Sequence, residues 1–206
     1  MEGDLQTALV RLEESVSLAR EVGDPWLLAV CLIRLGDGLK VLGTHKAAAL
    51  RVLEEGVARA RNVGDKSMLS DGLRELVPLY YAEGDLTTAA SLTEEALAEA
   101  RAIGGIMYIF LALFQLVIIS CLQNDPAKAK GYCFEAWTLG KDTGSPFAAA
   151  FALLSFGLAD CFGGELEKGV RLLAALNVLF GQLRLTPPEN DPIQVNLNCL
   201  TGTPAA

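Results

Sequence analysis

The chain has 206 residues, of which 51% are hydrophobic and 20% charged, so it carries enough apolar material for a continuous core and is not intrinsically disordered. Its net charge is −8 and it contains no run of lysine or arginine, which argues against direct binding to nucleic acid or to an anionic membrane surface. The five cysteines form no Cys-x-x-Cys pair, and we expect reduced thiols in a cytoplasmic protein: Cys31, Cys121, Cys133, Cys161 and Cys199.

Turn signals recur along the chain at intervals of 40, 41, 40 and 40 residues: Gly3, Gly43, Gly84, Asn124 and Gly164. A small side chain follows each signal five residues later: Ala8, Ala48, Ala89, Ala129 and Gly169. A second series lies between them: Gly23-Asp24, Gly64-Asp65, Gly104-Gly105 and Gly144-Ser145. A fixed period of this length predicts a stacked array of two-helix units.

Apolar residues at helical spacing place helices between these signals, and the predicted segments are 4–22, 25–42, 44–63, 66–82, 85–103, 106–123, 125–142, 146–162 and 165–183. Glycine caps end the helices, and Asp24 with Pro25 opens the second one. We therefore predict an all-α repeat domain over residues 1–188, with about eight antiparallel helices in units 3–22 (partial), 25–63, 66–103, 106–142 and 146–183.

One predicted helix, Ile106–Leu122, is 17 residues long and contains no charge, which is the short limit of a membrane span. It lies where the repeat requires a helix and lacks basic flanking anchors. We interpret it as a buried helix of the array and expect no membrane partner.

Leucine rows keep one register from unit to unit, and the first of them contains Leu32, Leu73, Leu113 and Leu153. The residues Leu35-Gly36, Gly43 and Ala48, and then Leu76, Tyr80, Gly84, Ala89 and Ala96, resemble the tetratricopeptide repeat (TPR) in its form of about 40 residues. This resemblance implies a right-handed TPR-like α-α solenoid. Val77 and Val117 depart from the signature glycine, which Gly36 and Gly157 keep.

The longer repeat form is similar to the C-terminal repeat region of bacterial signal-transduction ATPases and transcriptional regulators of the MalT/AfsR kind. The resemblance implies association with an ATPase, although this chain contains no Gly-x-x-x-x-Gly-Lys phosphate loop. Segment 4–22 corresponds to the second helix of a two-helix repeat whose first helix is absent from the sequence. We therefore expect that the chain is a fragment or that an upstream element docks against this helix.

No set of residues predicts catalysis. His45 is the only histidine, and Cys121 and Cys161 share a register without an activating neighbour in the sequence. The paired carboxylates repeat with the period, as expected of solvated faces: Glu13-Glu14, Glu54-Glu55 and Glu94-Glu95. We expect no enzyme activity, no cofactor and no metal.

In the resembled fold the first helix of each unit lines a binding groove. Carrying that register over selects twelve residues: Arg34, Asp37, Lys40, Arg74, Glu75, Tyr81, Phe114, Gln115, Ile118, Phe151, Ser155 and Leu158. The resulting hypothesis is a non-catalytic protein- or peptide-binding module, the sensory part of a bacterial regulator.

Two alternatives remain open. The chain could be a structural solenoid whose apolar groove is closed by a homodimer or by its own irregular or extended tail, residues 189–206. It could also hold a small-molecule sensor pocket between Phe114 and Phe151.

Overall fold

The computed structural model describes residues 2–43, 45–143 and 146–182, and these residues form nine α-helices and no strand. All nine predicted segments are confirmed to within two residues at each end, and together they are one more than the predicted total of about eight. The helices are α1 (Glu2–Val22), α2 (Pro25–Leu42), α3 (Lys46–Val63), α4 (Lys66–Ala82), α5 (Leu86–Ala102), α6 (Ile106–Leu122), α7 (Pro126–Thr143), α8 (Pro146–Phe162) and α9 (Leu166–Gln182).

Residues in the left-handed backbone conformation separate the helices, as the glycine signals predict. The backbone φ angles of Gly43, Gly84, Asn124 and Gly164 are 68°, 83°, 58° and 86°. At the start of α2, the Asp24 carboxylate accepts hydrogen bonds from the amides of Trp26 at 2.9 Å and Leu27 at 3.1 Å. Local cap chemistry therefore sets the element boundaries. The predicted signal Gly144-Ser145 lies outside the described residues.

Three details of the predicted period are wrong. Gly3 lies inside α1, which begins at Glu2, so it is not a turn; a glycine in the first turn of a helix has no sequence feature that distinguishes it from a cap. The turn after Gly43 is one residue longer than its counterparts, because α3 begins at Lys46. The equivalent of Ala89 is consequently Ala49, which is fully buried, and not Ala48. Likewise, the buried residue near the start of α1 is Leu9 and not Ala8.

Contacts divide the chain into two compact units, Met1–Ala112 and Leu113–Ala206, which we call unit 1 and unit 2. Unit 1 has a core contributed by α1 to α5, in which Leu32 and Leu73 are fully buried. In unit 2, described residues form one smaller cluster around Cys133 and another around Leu173. All four leucines of the predicted row pack into the interior, although Leu153 is only half-buried.

The uncharged helix α6 buries residues on more than one side, with Leu113 and Val117 on one and Ala112 and Ile119 on another, as expected of a helix inside the array. In the described part of the chain, we find no helix with both the length and the apolar character needed to cross a bilayer.

Candidate functional site

The charged residues predicted for the groove come together on α2 and α4 in one ion network. The Lys40 ammonium pairs with the Asp37 carboxylate at 3.0 Å and with that of Glu75. The Arg74 guanidinium pairs with Glu75 as well. Glu75 is buried, with only 4% of its surface exposed. The two helices are thus joined through a carboxylate that has a cation on each side.

The network contains one further acid, Asp71, which the sequence-based selection missed. Asp71 is buried and accepts from Arg34 at 2.5 Å and from Arg74 at 2.9 Å. The signal that could have found it is its spacing, since Asp71 precedes Arg74 by three residues and Glu75 by four on one helical face. With it the network has three cations and three carboxylates, so its charges balance.

The pKa shifts of Lys40 and Asp37 favour the charged forms of both side chains. Burial disfavours charged Lys40, but its hydrogen bonds and attraction to Glu75 and Asp37 outweigh burial and raise the Lys40 pKa. Burial alone would raise the pKa of Asp37, yet the contacts with Lys40 lower it. Nearby Tyr81 is half-buried, and burial raises the pKa of its hydroxyl against the opposing charge of Lys40.

A cavity of about 160 Å³ opens beside the exposed end of this network. One exposed wall residue is Trp26, whose indole N–H donates to the Asp65 carboxylate at 2.9 Å. Tyr108 stands in the wall as well, with its hydroxyl 3.5 Å from that of Ser67. The complete lining is Trp26, Val30, Ile33, Arg34, Asp65, Ser67, Met68, Asp71 and Tyr108. Of these residues, the sequence selected only Arg34 for the groove.

The predicted residues of unit 2 form an apolar face. The rings of Phe114 and Phe151 meet edge to face with centroids 5.5 Å apart. Ser155 is buried and its hydroxyl donates to the Phe151 carbonyl at 2.8 Å, within its own helix. Gln115, Ile118 and Leu158 are half-buried. Because the two rings contact each other, a small molecule between them would first have to separate them.

No protein-family model matches the chain, and neither does any curated protein. Solved structures do resemble it. A variant of the Podosopora anserina putative kinesin light chain with nearly identical TPR-like repeats superposes with a TM-score of 0.73 at 15% identity, covering 90% of this chain and 91% of the other. BtubC (BKLC) from P. vanneervenii superposes with a TM-score of 0.71 at 19% identity, covering 96% and 83%. The chain has a TPR-like fold.

Outside these faces, several further charged or thiol side chains are paired or buried. Glu55 pairs with Arg59 at 2.9 Å, and Glu95 with Arg61 at 2.7 Å. Burial raises the pKa of Cys121 to about 11 and that of Cys133 to about 12, so both thiols are protonated at neutral pH. His45 precedes α3 and is exposed. The described residues contain no group of three or more potential metal ligands.

A further buried carboxylate lies in unit 2. Asp160 is 1% exposed, and its two oxygens lie 3.0 Å from the Lys130 ammonium and 3.1 Å from that of Lys168. It thereby joins α7, α8 and α9. The predicted tail, residues 189–206, lies outside the described residues.

Proposed function

We propose that this chain is a non-catalytic TPR-like module that binds a protein or peptide at the face formed by α2 and α4. The observation that carries the proposal is the cavity at the end of the ion network, where Trp26 and Arg34 are half-exposed beside side chains that are already paired. Groups held in place before binding lose little conformational entropy when a ligand arrives.

The size of the cavity favours a peptide over a small molecule. Pockets for drug-sized ligands usually measure about 300–1,000 Å³, whereas this cavity has about 160 Å³. It accommodates one amino-acid side chain, with the rest of the partner lying over the open face. A binding mode of this kind uses one anchoring side chain and several peripheral contacts.

We further propose that the module is the sensory part of a cytoplasmic bacterial regulator. This part of the proposal depends on the resemblance of the 40-residue units to the repeat regions of MalT/AfsR-like ATPases. The paired, balanced charges of the network favour binding over chemistry, since each of its three carboxylates is already paired with a lysine or arginine.

A displayed library of random 12-residue peptides, selected on the purified chain, tests the proposal. Two variants match each other, because each removes one half-exposed tryptophan: Trp26→Ala at the cavity and Trp137→Ala on α7. We expect peptides to be enriched on the parent and on Trp137→Ala, and to lose binding on Trp26→Ala. Failure to enrich any sequence, or equal binding to both variants, would overturn the proposal.

One observation favours self-association as a second candidate function. Phe134 on α7 is 61% exposed, and its ring meets that of Phe156 edge to face. The two preceding repeats carry Glu54 and Glu94 at the position of Phe134. Such a patch, with Trp137 one turn further, suits a copy of the same chain. Light scattering should then show a concentration-dependent dimer that Phe134→Glu abolishes; a parent that stays monomeric at all concentrations excludes this candidate.

A further inference from the structure

The cavity beside Trp26 contains a carboxylate that no cation neutralises. Asp65 accepts the Trp26 indole N–H through one oxygen and the Met68 amide, at 3.0 Å, through the other. Within the described part of the chain, no lysine or arginine forms an ion pair with it. Its hydrogen bonds to Met68 and Trp26 lower the pKa of Asp65, so it is ionised at neutral pH.

The one cation in the cavity wall is already engaged. The Arg34 guanidinium lies 2.5 Å from Asp71. Since Asp65 and Asp71 are both carboxylates, the wall carries one more negative charge than positive charge. An anionic ligand would have to compete with Asp71 for Arg34 and would meet repulsion from Asp65.

Aromatic rings complete the wall. The hydrogen bond to Asp65 holds the indole of Trp26 in place, while 47% of the residue stays exposed. Tyr108 is half-buried in the same wall. The faces of such rings attract ammonium and guanidinium groups, and tryptophan does so most strongly. An aromatic wall with an unneutralised carboxylate is complementary to a cation on an apolar stem.

We propose that this cavity receives an arginine or lysine side chain of the bound peptide, with the cation at Asp65 and the stem against Trp26 and Tyr108. The inference rests on the proposed function, because it names the chemistry of the anchoring side chain. The acidity of the whole chain, with a net charge of −8, favours the encounter with a basic partner.

The test uses two matched variants, Asp65→Asn and Asp24→Asn. Both residues cap a helix, Asp65 at α4 and Asp24 at α2, and asparagine caps about as well as aspartate. Only Asp65 lines the cavity. The helix content of both variants, measured by circular dichroism, should equal that of the parent, so a difference in binding reports the charge and not the fold.

Peptides selected on the parent should be rich in arginine or lysine, and replacing the anchoring residue by glutamine should lower the affinity about tenfold. Fluorescence anisotropy then completes a double-mutant cycle. On Asp65→Asn the same replacement should change the affinity by less than about threefold, whereas on Asp24→Asn it should keep its full effect.

Two results separate this inference from the proposed function. Peptides that bind in a Trp26-dependent manner but contain no preferred basic residue would overturn the inference and leave the proposed function intact. Additive effects of the two replacements in the cycle would do the same. A library that yields no binding peptide at all would overturn both.

Discussion

Unit 1 and unit 2 use corresponding helical positions for opposite chemistry. Asp71 and Glu75 on α4 are buried acids that link α4 to cations, whereas the corresponding positions in unit 2 carry Gln115 on α6 and Phe151 and Ser155 on α8. The charged face requires a partner for every group, because an unpaired buried charge is costly. The apolar face requires only contact area. A TPR-like backbone therefore sets where side chains meet and leaves their chemistry free to vary from unit to unit.

Each unit contains one tryptophan, Trp26 in unit 1 and Trp137 in unit 2. Chains with Trp137→Phe or Trp26→Phe therefore report the unfolding of one unit at a time by fluorescence. This matters because repeat arrays need not unfold in a single two-state transition. The stability of each unit is therefore measured in these two backgrounds.

The largest expected effect comes from the leucine row. Leu73 has no exposed surface, whereas Leu153, at the same position in unit 2, is half-buried. Leu73→Ala should lower the free energy of unfolding of unit 1 by roughly 2–5 kcal/mol, and Leu153→Ala that of unit 2 by roughly 1–2 kcal/mol. Urea titrations of the single-tryptophan chains measure both values. Equal losses would contradict the difference in burial between the two units.

The second prediction compares Glu75 with Ser155. Glu75→Ala leaves Lys40 and Arg74 without their shared acid and should lower the free energy of unfolding of unit 1 by roughly 3 kcal/mol. This value is at the low end for breaking a buried ion pair because both cations are partly exposed. Ser155→Ala removes only a hydroxyl that bonds within its own helix and should cost about 0.5 kcal/mol. The same urea titrations apply, and a loss below that of Ser155→Ala would show that the network contributes no stability.

The third prediction concerns the residues that stand at the signature glycine position. A Cβ on Gly36 would lie 2.4 Å from Cγ of Leu53, and one on Gly157 would lie 2.8 Å from Leu173. The two repeats between them carry Val77 and Val117 in place of this glycine. In these two repeats the positions that correspond to Leu53 and Leu173 hold the smaller residues Thr93 and Cys133. The volume that the glycine leaves free is thus filled from the opposite helix.

Gly36→Val should accordingly destabilise unit 1 by roughly 1–3 kcal/mol through overpacking. Adding Leu53→Thr should recover at least half of that loss, because it recreates the Val77–Thr93 combination. Chemical denaturation of the two single variants and the double variant gives the coupling. If the two costs simply add, the volumes are not linked.

Much of the fold could be predicted because its signals are local. The cap at Asp24 and the left-handed Gly23 act within a few residues, so the end of α1 and the start of α2 follow from the sequence. The extra residue after Gly43 was missed because spacing alone does not reveal where a helix begins. The shift from Ala48 to Ala49 follows from that one residue.

The candidate site could be predicted only in part. Arg34, Lys40 and Glu75 share the register of the groove, and the structure joins them in one network. The cavity escaped prediction because Trp26, Asp65 and Tyr108 come from the first turns of α2, α4 and α6 or from the cap before them. Their proximity depends on how helices about forty residues apart are stacked, and a periodic pattern does not specify which side chains then converge.

The smallest expected effect is on pH dependence, and it compares Tyr80 in unit 1 with Asp160, which stands at the same helical position in unit 2. Burial and a hydrogen bond of 2.7 Å to Glu54 raise the pKa of Tyr80 to about 12. Burial alone would raise the pKa of Asp160, but Lys130 and Lys168 lower it below the ordinary value. The two side chains therefore stabilise their units in different pH ranges.

Because Tyr80 holds its proton more tightly in the folded chain, its contribution is complete below its ordinary pKa of about 10 and is lost as the pH rises towards 12. The Asp160 contribution is complete above about pH 4 and is lost as the pH falls through its lowered pKa. Between pH 9 and 11 the urea midpoint, followed by Trp26 fluorescence, should therefore fall less steeply with rising pH in Tyr80→Phe than in the parent. In acid the urea midpoint, followed by Trp137 fluorescence, should fall less steeply with decreasing pH in Asp160→Asn than in the parent. If the pH dependence of the midpoint is unchanged in both variants, the contacts described stabilise neither the neutral form of Tyr80 nor the charged form of Asp160. If the Asp160→Asn effect in acid is seen only by Trp26 fluorescence, the acid sensitivity belongs to unit 1, which contradicts the prediction.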